Sequence, residues 1–178
     1  RMSIEDLITY CEFIRQHNAL ASIFCPKVIY NGTNKVSNRE FEFVDWCITS
    51  GSAISLIQYG HEFKFDENYF IDRLDKDICE QVIRSDNKIC QINTAFLYQQ
   101  LGEIEKNGHS SHEAFRHYYI ARNRAYFNKK YKKSKILTFL QSIRHIFIII
   151  KNEPEKIKKV KMVFKGISDY KKGKMGRM

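Results

Sequence analysis

The sequence predicts an α/β fold, a mixed sheet with interleaved helices that gives way to a helical C-terminal region. Three observations carry that expectation. Through the first part of the chain, helical spacing of apolar residues alternates with short apolar runs closed by turn residues. From Ser111 onward the spacing is helical alone. Charge divides near the same place: residues 1–115 hold 11 basic and 17 acidic side chains, whereas residues 116–178 hold 19 and 3, leaving +10 overall. The expected organisation is therefore a body over 1–110 and a basic helical region over 111–178.

Taken in order, Ser3 with Glu5 and Asp6 reads as an N-cap and acidic first turn, followed by helical spacing over residues 4–17. The run 19–24 reads as a buried strand closed by Pro26. Asn31-Gly32-Thr33-Asn34 and Val36-Ser37-Asn38 are turn chemistry. Residues 41–48 read as a second strand, Ser50-Gly51-Ser52 as a tight turn, and 53–58 as a short helix. Residues 63–70 read as an aromatic and acidic loop. Helical spacing returns over 74–84, one or two strands are expected over 88–101, and helices over 112–131, 134–151 and 154–167, the last after Pro154.

With 178 residues, 43% hydrophobic and 13% aromatic, the chain can bury a core, which excludes wholesale disorder. Two prolines and eight glycines exclude a collagen-like or proline-rich chain. Five cysteines without a Cys-x-x-Cys pair fit a reducing compartment, hence a cytoplasmic location, and speak against a zinc site. No secretory signal is visible. The apolar run 136–150 is interrupted by Gln141, Ser142, Arg144 and His145, too short and polar to span a bilayer. Because a helix begins almost at once, the chain is expected to be part of a longer protein.

Three segments could carry chemistry. Residues 65–77 place five carboxylates within twelve positions, among them Asp72 and Asp75, three apart where a helix is expected to begin. Such a pair can face one side, hold a metal or take a proton from a hydroxyl; equally it can be a solvated acidic loop. Around Trp46, a strand ending in Ser50-Gly51-Ser52 lets backbone approach a ligand, since glycine carries no side chain; an ordinary strand-to-helix turn would look the same. His117-Tyr118-Tyr119-Ile120-Ala121-Arg122-Asn123 offers rings and a guanidinium for stacking and for phosphate or hydroxyl contacts, or the polar seam of a packed helix.

In this order the segments resemble bacterial family 2 glycosyltransferases, particularly the rhamnosyltransferase branch of surface polysaccharide synthesis. The matching pieces are Thr49-Ser50-Gly51, then Asp66-Glu67-Asn68-Tyr69-Phe70-Ile71-Asp72, then Leu74-Asp75-Lys76-Asp77-Ile78-Cys79. Tyr118-Tyr119-Ile120-Ala121-Arg122-Asn123 follows, and Phe164-Lys165-Gly166 with Gly173-Lys174-Met175-Gly176-Arg177 ends the match. The resemblance covers roughly residues 3–178 and implies a partial GT-A-like mixed sheet with a C-terminal helical extension. It implies an acceptor-side portion, with the nucleotide-sugar half and its diphosphate-binding Asp-x-Asp expected before Ser3, so that this portion alone would be inactive. A divalent metal, Mg2+ or Mn2+, would be held mostly by residues outside the chain.

By the same resemblance, Asp75 is the base of an inverting transfer, Asp72 the second choice, and Asp77 a capping or orienting residue. Trp46, Ser50 and Gly51 would line the acceptor floor, and Tyr119, Arg122 and Asn123 would contact substrate or phosphate. Gln81 and Gln99 stand where members often carry Arg and His. The implied partners are a nucleotide-sugar donor and a saccharide or lipid-linked acceptor. The lysines of 129–133 and 156–161, flanking an apolar helix, suit the inner face of an anionic membrane, or else a packed hairpin with a solvated lysine face. The competing classes are a non-catalytic basic module for nucleic acid or membrane, and a scaffold whose partner supplies the chemistry. Against nucleic acid stands the lack of lysine-interleaved aromatics or a recognition-helix pattern.

Overall fold

The computed structural model describes residues 1–30, 37–59, 64–99, 103–104 and 110–178, which include six helices and six strands. The fold is α/β. The chain forms two compact units, one of residues 1–65 and 75–101, the other of residues 66–74 and 102–178, in place of a single division at 110/111. The turns expected at 31–36 and the Gln100-Leu101-Gly102 stretch lie outside the described residues.

In the first unit, helix α1 (Ile4–Gln16) opens on Ser3, whose hydroxyl accepts the Asp6 amide at 3.0 Å. Strand β1 (Ile23–Tyr30) runs parallel to β4 (Ile89–Gln99) at the centre of a four-stranded sheet. Strands β2 (Phe41–Phe43) and β3 (Ala53–Ile54) flank them antiparallel, giving the order β2-β4-β1-β3. The helix α2 (Leu56–Tyr59) and the longer α3 (Leu74–Arg84) fall between β3 and β4. The core gathers Tyr10 and Phe13 of α1 with Phe24, Cys90, Ile92 and Ala95. Tyr10 stitches three elements: its hydroxyl donates to the Phe24 carbonyl at 2.8 Å and accepts the Ala53 amide at 3.0 Å.

The strand expected to stop before Pro26 continues through it. Proline has no N–H for the ladder, and the register with β4 shifts at that point, from Pro26 opposite Ile92 to Lys27 opposite Phe96. The irregularity absorbs the missing donor. The strand expected over 41–48 ends at Phe43, and the helix expected over 53–58 is divided into β3 and α2.

In the second unit, α4 (Ala114–Lys130), α5 (Lys135–Asn152) and α6 (Lys156–Lys171) pack together, and β5 (Glu103–Ile104) pairs antiparallel with β6 (Ser110–Ser111). Ala121, Ile149 and Val163 form one apolar cluster; Tyr69, Phe127 and Tyr131 form another. Helices α4 and α6 approach closely at Gly166. A Cβ there would lie 2.4 Å from the Tyr118 carbonyl oxygen and 3.2 Å from the Arg122 nitrogen.

Candidate active site

The site in the first unit is built on the irregular segment that leaves β2. The Val44 amide still reaches the Ile89 carbonyl, at 3.0 Å, and the chain then turns at Thr49-Ser50-Gly51-Ser52. Gly51 has φ +74°, the left-handed region that side chains disfavour, and an added Cβ would crowd the Pro26 ring at 3.3 Å. The turn closes through the Ser52 amide on the Thr49 carbonyl and the Ser52 hydroxyl on the Ile48 carbonyl. Its placement leaves Thr49, Ser50 and Gly51 exposed.

Asp75, in the first turn of α3, anchors this turn. Its Oδ1 accepts both the Thr49 amide, at 3.1 Å, and the Thr49 hydroxyl, at 2.7 Å. Its Oδ2 has no hydrogen-bond partner among the described residues. A half-buried carboxylate at a helix N-terminus is thus fixed by one oxygen and presents the other. Asp75, Thr49, Ser52 and Phe65 line a cavity of about 110 Å³ together with Cys47 and Cys79. A second cavity of about 140 Å³ takes Trp46, Ser50 and Gln91 into its wall, with Cys47 again shared. The Trp46 ring is 47% exposed, with the Lys76 ammonium 5.9 Å from its centroid.

Cys47 is not a nucleophile candidate despite its place between both cavities. Hydrogen bonding to Cys25, together with burial, pushes its thiol up to about 12, so the reactive thiolate is scarce at neutral pH. Cys79 is raised further by its bond to Cys47 and by burial. Asp77 is fully buried and accepts from Gln81 Nε2 at 2.8 Å; Gln81 also donates to the Lys64 carbonyl at 3.0 Å. The glutamine standing where the resembling family often has Arg is thus tied to the carboxylate one turn earlier.

The spacing suggests that Asp72 shares a helix face with Asp75, but it precedes α3, and both Asp72 and Arg73 adopt left-handed backbone, with φ +60° and +72°. Asp72 belongs to the second unit, where its carboxylate receives Arg116 Nη2 at 3.2 Å. Asn123 holds the strained turn from beneath: Nδ2 donates to the Ile71 carbonyl at 2.6 Å and to the Asp72 carbonyl at 3.2 Å. Arg122, 1% exposed, donates to the Asn68 carbonyl and to Asn123 Oδ1, and its guanidinium lies against both the Tyr118 and Tyr119 rings. The Tyr119 hydroxyl accepts the Met178 amide at 2.7 Å. Each of the three residues expected to touch substrate or phosphate bonds a main-chain group of this chain.

The second unit also holds a buried constellation of charged and imidazole side chains. In the second unit, Lys159 Nζ donates to Glu153 Oε2 at 2.9 Å, and His117 Nε2 lies 3.0 Å from the same oxygen. His117 Nδ1 lies 3.0 Å from His145 Nε2, and His145 Nδ1 lies 2.8 Å from Arg124 Nη2. One assignment satisfies every link: Arg124 donates to Nδ1 of His145, and each neutral histidine donates through Nε2. Burial lowers both histidines, and the Arg124 charge helps to push His145 down to about 3. Burial alone would raise Glu153, but Lys159 and His117 hold its carboxyl below the ordinary range. The clue in the sequence is the pair Gln141 and His145, four apart, interrupting an otherwise apolar helix.

Among the described residues no three His, Cys, Asp or Glu side chains converge as a divalent ion requires. Comparison with family models, with curated proteins and with solved structures finds no match.

Proposed function

We propose that this chain is the acceptor-side portion of a GT-A-like inverting glycosyltransferase, with Asp75 as general base. In the proposed step, Asp75 Oδ2 takes the proton of an acceptor hydroxyl. As it loses that proton, the acceptor's own hydroxyl oxygen bonds to the anomeric carbon of a nucleotide-sugar, and the nucleoside diphosphate leaves with the electrons of the broken C–O bond. Thr49, bound to Oδ1, fixes the carboxylate so that little reorientation is needed during transfer. Trp46 offers a flat apolar face to one side of a sugar ring, while Ser50 supplies a hydroxyl beside it. Asp72, held by Arg116, is left as a structural residue in this scheme.

The observation that carries the reading is the division of labour on Asp75: one oxygen is held by Thr49 and the other is unengaged beside a cavity. The motif resemblance supplies the reaction class. In the transfer-competent enzyme, Asp75→Asn is expected to cut transfer about 10³-fold with donor binding unchanged. Trp46, the single tryptophan, reports the acceptor side directly: saccharide acceptors should shift its emission, and mannitol should not. Near-normal turnover in Asp75→Asn, or a Trp46 signal indifferent to every saccharide tested, overturns the proposal.

A further inference from the structure

Through its first three turns, helix α5 is amphipathic in the reverse of the usual sense. In an amphipathic helix on a protein surface the apolar stripe faces the core. Here Thr138, Gln141 and His145 face inward: Asn128 Nδ2 donates to Thr138 Oγ1 at 2.9 Å and to Gln141 Oε1 at 3.0 Å, and Arg124 reaches the Gln141 carbonyl and His145. On the opposite side Ile136, Phe139, Leu140, Ile143, Phe147 and Ile150 recur at the three- and four-residue intervals of one helical stripe, and each is 49–71% exposed. A contiguous apolar row of this length on the outside marks a surface that meets another phase or molecule.

The surrounding charge decides which. Residues 129–165 carry twelve basic side chains and two acidic ones. Both acids are neutralised locally, Glu153 by Lys159 and Glu155 by Lys158 at 3.1 Å. Exposed Lys135, Arg144 and Lys151 lie on α5 itself. A second copy of the chain would bring two such cationic surfaces together, and a nucleic acid would neutralise the lysines but leave the apolar row wet. An anionic bilayer satisfies both features at once: headgroups meet the cations and the acyl boundary takes the stripe. No helix among the described residues is long and apolar enough to cross a membrane.

We propose that the outer face of α5 lies in the interfacial plane of an anionic lipid membrane. The claim stands independently of the glycosyltransferase reading, since it uses none of the residues near Asp75. Sedimentation with vesicles of phosphatidylglycerol and phosphatidylcholine in equal parts tests it, against vesicles of phosphatidylcholine alone. The full chain should bind the anionic vesicles, weaken as salt rises, and bind the neutral ones poorly. Phe139→Glu with Phe147→Glu should weaken binding more than about tenfold, with helix content and unfolding midpoint unchanged because both rings point outward. Lys135→Glu and Lys151→Glu should each weaken it by about fivefold or more. Three results overturn the proposal: no binding to anionic vesicles; binding undiminished by the phenylalanine changes, including tighter binding to duplex DNA that ignores them; or a concentration-dependent dimer without lipid that those changes abolish.

Discussion

The two units of the chain solve the burial of polar groups in opposite ways. The first packs rings and aliphatic side chains, Tyr10, Phe13, Phe24 and Ile92, buries few polar side chains, Asp77 and Asn93 among them, and leaves the turn at Thr49-Ser50-Gly51 exposed. The second buries His117, Arg122, Asn123, Arg124, Asn128, Glu153 and Lys159, and exposes an apolar row on α5. Buried charges are tolerated only when paired and hydrogen-bonded, and here they are chained, from Lys159 through Glu153 and two histidines to Arg124. The difference teaches that helical periodicity locates a helix without saying which of its faces is inside.

That contrast can be tested within one helix. Ile149, fully buried on α5, should cost about 3 kcal/mol when changed to Ala, whereas Phe147→Ala, larger but outward-facing, should stay within about 0.5 kcal/mol. Equal losses in denaturant unfolding would mean that the exposed row is packed after all.

Acid should separate the units next. A histidine held near 3 in the folded state but titrating normally when unfolded binds its proton preferentially in the unfolded chain. Stability is therefore complete above pH 6.5 and is lost as pH falls from there towards 3. Glu153, held below its ordinary range, loses its contribution in the same direction at lower pH. Between pH 7 and 5 the second unit should lose on the order of 1–2 kcal/mol. Amide exchange along α4 and α5 should accelerate while Trp46 emission, which reports the first unit, holds steady. Simultaneous loosening of both would deny the histidine chain its special place.

The remaining effect belongs to the first unit. Gly51→Ala imposes a side chain on left-handed backbone beside Pro26 and should cost about 1–2 kcal/mol, read as a lower unfolding midpoint. A neutral outcome would show that the turn at Thr49 can relax.

How far the sequence reveals this arrangement follows the same division. Helices α1 and α3 lie where capping and spacing place them, since Ser3 caps its own helix and α3 buries Ile78, Cys79 and Val82 on one side. Strand β1 extends beyond its expected end because the effect of Pro26 depends on a register shift in β4, which only pairing reveals. The segment after Phe43 leaves the ladder although its residues favour strands. Asp75 stands out as a carboxylate, but Thr49 as its partner, 26 positions away, does not. Tyr119, Arg122 and Asn123 are the residue types that ligands need, and the same types also bond this chain's own main chain; composition does not separate the two uses. The inward polar row of α5 registers in the sequence only as breaks in an apolar run.

Gly166 carries a last consequence. With the Tyr118 carbonyl where a methyl group would sit, any other residue at this position must act as a wedge that pries α6 from α4. Exposed Phe164 and Lys165 next to it meet no such obstacle. Randomising these three codons together and selecting for folded protein should therefore return wide variety at two of them and a single amino acid at the third.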